Sequence, residues 1–177
     1  GHGVYNLFDI LPEDQRLLPA ALRDQGYYTG LVGKLHVSGI MYESQRRNPG
    51  DGFDVYELSH EPSVLLDAPQ NAYGAWLREH WPEDYRRLLR EGRDWKERPA
   101  RSHFSAWVSQ RSAEFIRRRD REKPFFLSMG YFDPHSPYDN YPRESEGLLR
   151  EECRPPVVSP LGEEPEHRPK ALEEIRR

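Results

Sequence analysis

The sequence predicts an α/β fold: a mixed or mostly parallel sheet flanked by helices, of which this chain supplies a part. Two short apolar runs carry that expectation, Tyr27-Tyr28-Thr29-Gly30-Leu31-Val32 and Phe125-Phe126-Leu127-Ser128-Met129-Gly130. Each follows a helical pattern and has the length and β-rich make-up of a buried strand. The third observation is compositional. Counted with Gly and without Tyr, apolar residues make up roughly 38% of the chain, against about 45–50% in an ordinary domain. With 32% charged residues among 177, the chain reads as an internal piece of a larger fold rather than as a core complete in itself.

The elements follow in order. Leu18, Ala21 and Leu22 fall on one face of a helix across 17–26, with Pro19 in its first turn and Gly26 as its C-terminal cap. The first strand comes next and breaks into Gly33-Lys34-Leu35-His36. Over 60–101, Trp76, Leu77, Trp81, Tyr85, Leu88 and Leu89 recur at helical spacing, with Pro82 at a boundary. A surface helical excursion is the expectation there, and a substrate-facing insertion is the alternative. The strongest helix covers 102–123, where Phe104, Trp107, Val108, Phe115 and Ile116 form one stripe. Ser102 is placed to cap its start, and Arg117-Arg118-Arg119 complement the dipole at its end. The second apolar strand follows, expected inside a sheet. From 139 onward, prolines among charged residues read as an irregular surface segment, with a further helix beginning near Ala171.

Several function classes drop out. No apolar run approaches the roughly 20 residues that cross a bilayer, so no membrane span is expected. A single Cys leaves neither an internal disulfide nor a multi-cysteine zinc site. The net charge of −4 does not suit a nucleic-acid binder. His2, His60, His80, His103 and His167 form no close pair and no His-Glu-x-x-His, so they are not expected to bind zinc. Compartment (periplasmic, secreted or cytoplasmic) and oligomeric state stay open.

Ligand sites in open α/β sheets gather beyond the carboxyl ends of strands. Lys34 and His36 stand there after the first strand, and His135 after the second. Alternation along an extended segment sends 34 and 36 to the same side, and neighbouring parallel strands would bring His135 beside them. Pro134 and Pro137 stiffen the second loop by fixing their own φ and restricting Asp133 and Ser136. Only 4 of the 26 strong bases are lysines, which sets Lys34 apart from its background. One ammonium and two imidazoles suit a tetrahedral anion such as sulfate or phosphate. Taken singly, Gly-Lys-x-His is a surface element and Pro-His-x-Pro a rigid turn. The pair, each after a strand, points to a site.

A series of segments then resembles, in family order, the N-terminal catalytic domain of sulfatases in the alkaline-phosphatase-like superfamily. They are Gly1-His2-Gly3-Val4, Leu11-Pro12, Leu22 through Thr29, Gly33-Lys34-Leu35-His36 and Gly52-Phe53-Asp54, then Lys123-Pro124-Phe125-Phe126-Leu127 and Pro134-His135-Ser136-Pro137-Tyr138. The resemblance covers residues 1–142 and is weakest over 58–101, a variable helical insertion; 143–177 reads as an irregular segment of the same domain. It implies a partial alkaline-phosphatase-like fold and an arylsulfatase-like sulfuric ester hydrolase acting on a small-molecule or carbohydrate sulfate ester. It also implies a formylglycine nucleophile and a divalent cation, usually calcium, in the full-length parent. By the same resemblance the formylglycine hydrate attacks sulfur, the alcohol leaves, and the hemiacetal sulfate collapses. Lys34 would then bind a sulfate oxygen, His36 would hydrogen-bond the hydrated aldehyde and assist its collapse, and His135 would contact the sulfate and protonate the leaving oxygen.

The sequence also departs from the family. Leu35 stands where relatives often have Trp, and no Leu-Gly follows His36. Cys153-Arg154-Pro155-Pro156-Val157 begins like the Cys-x-Pro/Ala-x-Arg nucleophile motif but has Val157 in place of Arg, and it lies after His135 rather than before Lys34. Cys153 is therefore read as an ordinary thiol. Asp139-Asn140 follows the Pro-His loop too closely to be the family's metal pair and reads as turn chemistry. This chain is thus expected to carry ligands for neither cation nor nucleophile, and to be inactive alone. Two alternatives remain open: a phosphonate or phosphate ester hydrolase of the same superfamily, and a non-catalytic sulfatase-like binding module.

Overall fold

Tight helix-to-strand turns set the order of elements. The computed structural model describes residues 2–96, 98–136, 141, 142, 144 and 145. In it, α1 (Leu18–Asp24) has Pro19 in its first turn and stops ahead of Gly26, whose φ of +86° suits a residue without Cβ. β1 (Tyr28–Gly33), α2 (Ile40–Glu43), β2 (Val55–Leu58), α3 (Ala72–His80) and α4 (Pro82–Glu91) follow. After two single 3₁₀ turns come α5 (Phe104–Arg118) and β3 (Phe125–Gly130). The three strands are parallel, in the order β2-β1-β3. This is the α/β architecture the sequence predicts.

β1 is the middle strand, and its alternating side chains are covered on both faces. Leu31 packs with Phe53 and Leu58, while Val32 joins a larger cluster that includes Tyr73, Leu77, Leu88, Phe104, Trp107 and Phe132. Within that cluster the rings of Tyr73, Phe104 and Trp107 lie with centroids 5.2–5.5 Å apart, the spacing of tilted and edge-to-face pairs. The Gly52-Phe53-Asp54 element is structural. Thr29 donates its N–H to Asp54 Oδ2 (2.9 Å) and its hydroxyl to the Gly52 carbonyl (2.7 Å), and so fixes the start of β1.

Four sequence expectations need correction. Residues 60–101 are not a surface excursion: Tyr73, Trp76, Leu77, Tyr85, Leu88 and Trp95 are buried core. Their helical spacing marks a face that packs inward, and α5 provides its partner. In α1 the buried residues are Pro19 and Ala20, while Leu18 is exposed. The helix docks by its first turn on Gly52, where a Cβ would come within 2.1 Å of the Ala20 backbone. The cap of α5 is His103, whose Nδ1 accepts the Ser105 N–H at 3.2 Å. Ser102 instead turns within the preceding 3₁₀ turn, its hydroxyl donating to Pro99 O, and Ile116 lies at the exposed margin of the stripe. Finally, β3 pairs only with β1 among the described residues, so Phe125 and Met129 are exposed on an edge rather than buried within a sheet. Pro137, Asp139, Asn140, Cys153, His167 and the helix expected near Ala171 lie outside the described residues. No helix among the described residues is long and apolar enough to cross a membrane.

Candidate active site

Two glycines allow adjoining strand ends to touch. Gly33 has a φ of +103°, and a Cβ there would lie 2.2 Å from Gly130 O; a Cβ on Gly130 would lie 2.1 Å from Lys34 O. With neither present, Lys34 N–H donates to Gly130 O at 2.7 Å, and Ser59 N–H donates to Gly33 O at 3.1 Å. The three strands therefore release their loops at one end of the sheet, each beginning within a hydrogen bond of its neighbour. Lys34 and His36 ride on the first loop, His60 and Glu61 on the second, and Phe132 and His135 on the third.

Phe132 belongs to the larger core cluster and carries that core up to the site. Lys34 Nζ stands over its ring, 4.9 Å from the centroid, and the His135 ring stacks on it at 4.9 Å. A lysine and a histidine 101 positions apart in sequence thus share one aromatic ring. The His135 loop is tied down twice: its N–H donates to Phe132 O at 2.9 Å, and Asp133 Oδ2 accepts the Ser105 hydroxyl at 2.7 Å. His135 Nδ1 lies 2.8 Å from Ser136 O. A carbonyl can only accept, so Nδ1 carries a proton and Nε2 is left for chemistry.

The Lys34 ammonium is half-buried. Burial pushes its pKa below the usual lysine value, and the Glu61 carboxylate pulls it part of the way back. Glu61 is itself paired with Arg93. His36 is exposed, and its ring meets that of His60 at 5.7 Å between centroids rather than the ring of Phe132. A cavity of about 590 Å³ opens between His36, Val37, Ser38 and the segment 4–8. The structure therefore gathers Lys34 and His135 at one ring and sets His36 on the same loop as Lys34, against a different partner.

Sequence reasoning passed over His60, Glu61 and Phe132. The signal for the first two was present in principle: Leu58-Ser59-His60-Glu61 leaves a strand just as the other two loops do. That strand has four residues, two of them Tyr and Glu, and is too short to stand out. Among the described residues no group of three His, Cys, Asp or Glu side chains is placed to hold a metal ion.

A family model described as Sulfatase matches residues 2–152, a span that takes in every element above. The chain belongs to the sulfatase family. It is 33% identical over 131 residues to an arylsulfatase of Clostridium perfringens (strain 13 / Type A), a match covering 64% of this chain and 26% of that relative. The chain thus spans about a quarter of the length of the curated relative it matches. In this sulfatase segment, the Gly33/Gly130 contact is what places the Lys34 loop against the His135 loop.

Proposed function

We propose that the full-length protein hydrolyses sulfate esters of small molecules or carbohydrates, with Lys34 and His135 holding the sulfate group and His36 handling a proton beside it. The observation that carries this reading is the shared ring of Phe132, which an ammonium and an imidazole both contact at the carboxyl end of two parallel strands. Membership of the sulfatase family and the arylsulfatase relative support it.

The residues act in distinct ways. The Lys34 ammonium, half out of water, binds a sulfate oxygen and neutralises charge there more strongly than a solvated cation would. His135 keeps Nδ1–H on Ser136 O, so its Nε2, when protonated, is the donor for the bridging oxygen as the ester bond breaks. His36 borders the cavity, and its imidazole is the group this reading assigns to proton transfer there. In the full-length protein a formylglycine and a calcium ion would supply the nucleophile and further charge neutralisation. The described residues bring together no ligand set for such a cation. Cys153, the single cysteine, lies outside them with Val157 where the family motif has Arg. The roles that fall to this chain are those of Lys34, His36 and His135.

The test is a substrate panel on the purified full-length protein: an aryl sulfate, an aryl phosphonate monoester and an aryl phosphate. Fastest turnover of the sulfate is expected, with none from the 177-residue chain by itself. Preference for the phosphonate or phosphate would assign the phosphoryl activity instead. Sulfate binding without turnover of any of the three would make the protein a binding module.

A further inference from the structure

Behind His36 lie a carboxylate and an imidazole that the sulfatase reading leaves without a task. Glu43, the last residue of α2, is buried, and its Oε1 accepts the N–H groups of Val37 (3.0 Å) and Ser38 (2.7 Å). Its other oxygen, Oε2, lies 2.9 Å from Nε2 of His60, whose side chain is only 4% exposed. That approach is away from the N–H direction, so it is a close polar contact rather than an aligned hydrogen bond. Nδ1 of His60 has no hydrogen-bond partner among the described residues. The His60 ring then meets the His36 ring edge to face, at an interplanar angle of 81°.

A buried imidazole with poorly satisfied nitrogens is a costly way to fill space, and a leucine or phenylalanine would fill it with less penalty. We infer that His60, fixed by Glu43, is a positioning residue for His36. An exposed histidine samples several rotamers unless something holds it. Here one carboxylate serves two ends. Through Oε1 it pins the peptide groups that directly follow His36, and through Oε2 it holds the imidazole that walls one side of the His36 ring. His60 acts through His36: its ring meets His36, whereas Lys34 and His135 share the ring of Phe132. Its kinetic consequence rests on the proposed sulfatase activity; the contact itself does not.

The experiment compares wild type, His60→Ala and His60→Phe in the full-length protein. Misplacing a reacting group lowers the chemical step rather than binding. His60→Ala should therefore lower kcat for an aryl sulfate about tenfold or more and leave KM within about twofold. His60→Phe, which keeps a ring against His36, should recover most of the loss. A second readout needs no turnover: acylation of His36 by diethyl pyrocarbonate, followed by peptide mass spectrometry. It should quicken at least about threefold in His60→Ala, as a loosened ring exposes its nitrogens, and fall back in His60→Phe. Should His60→Ala lose its cooperative melt, His60→Leu replaces it, filling the volume without a ring. Unchanged His36 acylation in the ringless variant would overturn the inference, as would kcat and KM worsening together with Phe no better than Ala. Absence of any sulfate-ester turnover would defeat the functional reading and leave acylation to decide this one.

Discussion

Lys34 is held half-buried against Phe132, so its proton leaves at a lower pH than from a free lysine. The sign of the effect follows from which state keeps the proton. Below the lowered midpoint both folded and unfolded chains carry it, and the burial penalty is present in full. Between that midpoint and 10.5, the unfolded chain holds a proton the folded one has lost, so this residue's contribution to stability rises with pH there. Under the proposed function anion binding runs the other way, because there the ammonium is the group that attracts the sulfate. Calorimetric titration with inorganic sulfate should show affinity falling as pH climbs from neutrality toward 10.5. Lys34→Arg, whose guanidinium stays charged, should flatten that fall. Parallel loss in both proteins would mean that Lys34 is not the anion's cation. Lys34 and His135 were legible in the sequence because each stands just past an apolar strand run. Glu43 and His60 were not. Glu43 closes a four-residue helix, and its partners, Val37, Ser38 and His60, become neighbours only once the loop has folded over it.

At the scale of elements, the site depends on how closely β1 and β3 can approach at their ends. The paired glycines set that approach, and they allow a comparison between crowding and backbone strain. At Gly26 an added Cβ meets nothing within 4 Å, so Gly26→Ala suffers only the strain of a φ of +86°, about 1–2 kcal/mol. At Gly130 an added Cβ meets the Lys34 backbone at 2.1 Å. Gly130→Ala should therefore cost about 2 kcal/mol or more in a urea melt, since a backbone shift is forced. It should also lower kcat/KM by moving the Lys34 loop off Phe132, whereas Gly26→Ala should leave kcat/KM alone. Equal effects on activity from the two variants would contradict the role given to this contact. The apolar runs made β1 and β3 readable, and helical spacing made α3, α4 and α5 readable. What spacing does not carry is which way a face looks. The rings of α3 and α4 turn inward because α5 presents Phe104 and Trp107 to them, a pairing set by tertiary structure. β2 escaped notice because four residues are too few to show a period.

Over the whole molecule, a parallel three-stranded sheet delivers its chemistry-bearing loops to one end, and an aromatic residue of the core, Phe132, forms the surface on which two of them meet. Among the described residues, β3 leaves one edge unpaired and Phe125 and Met129 exposed. The central claim is that Lys34 and His135 grip the same sulfate. A double-mutant cycle on kcat/KM for an aryl sulfate in the full-length protein tests it most directly. Each of Lys34→Ala and His135→Ala should lose about 10²-fold or more, the scale of one removed oxyanion donor. The double variant should lose less than the product of the two, because groups acting on one anion are coupled. Turnover within about twofold of wild type in either single variant, or strictly multiplicative losses in the double, would contradict the account.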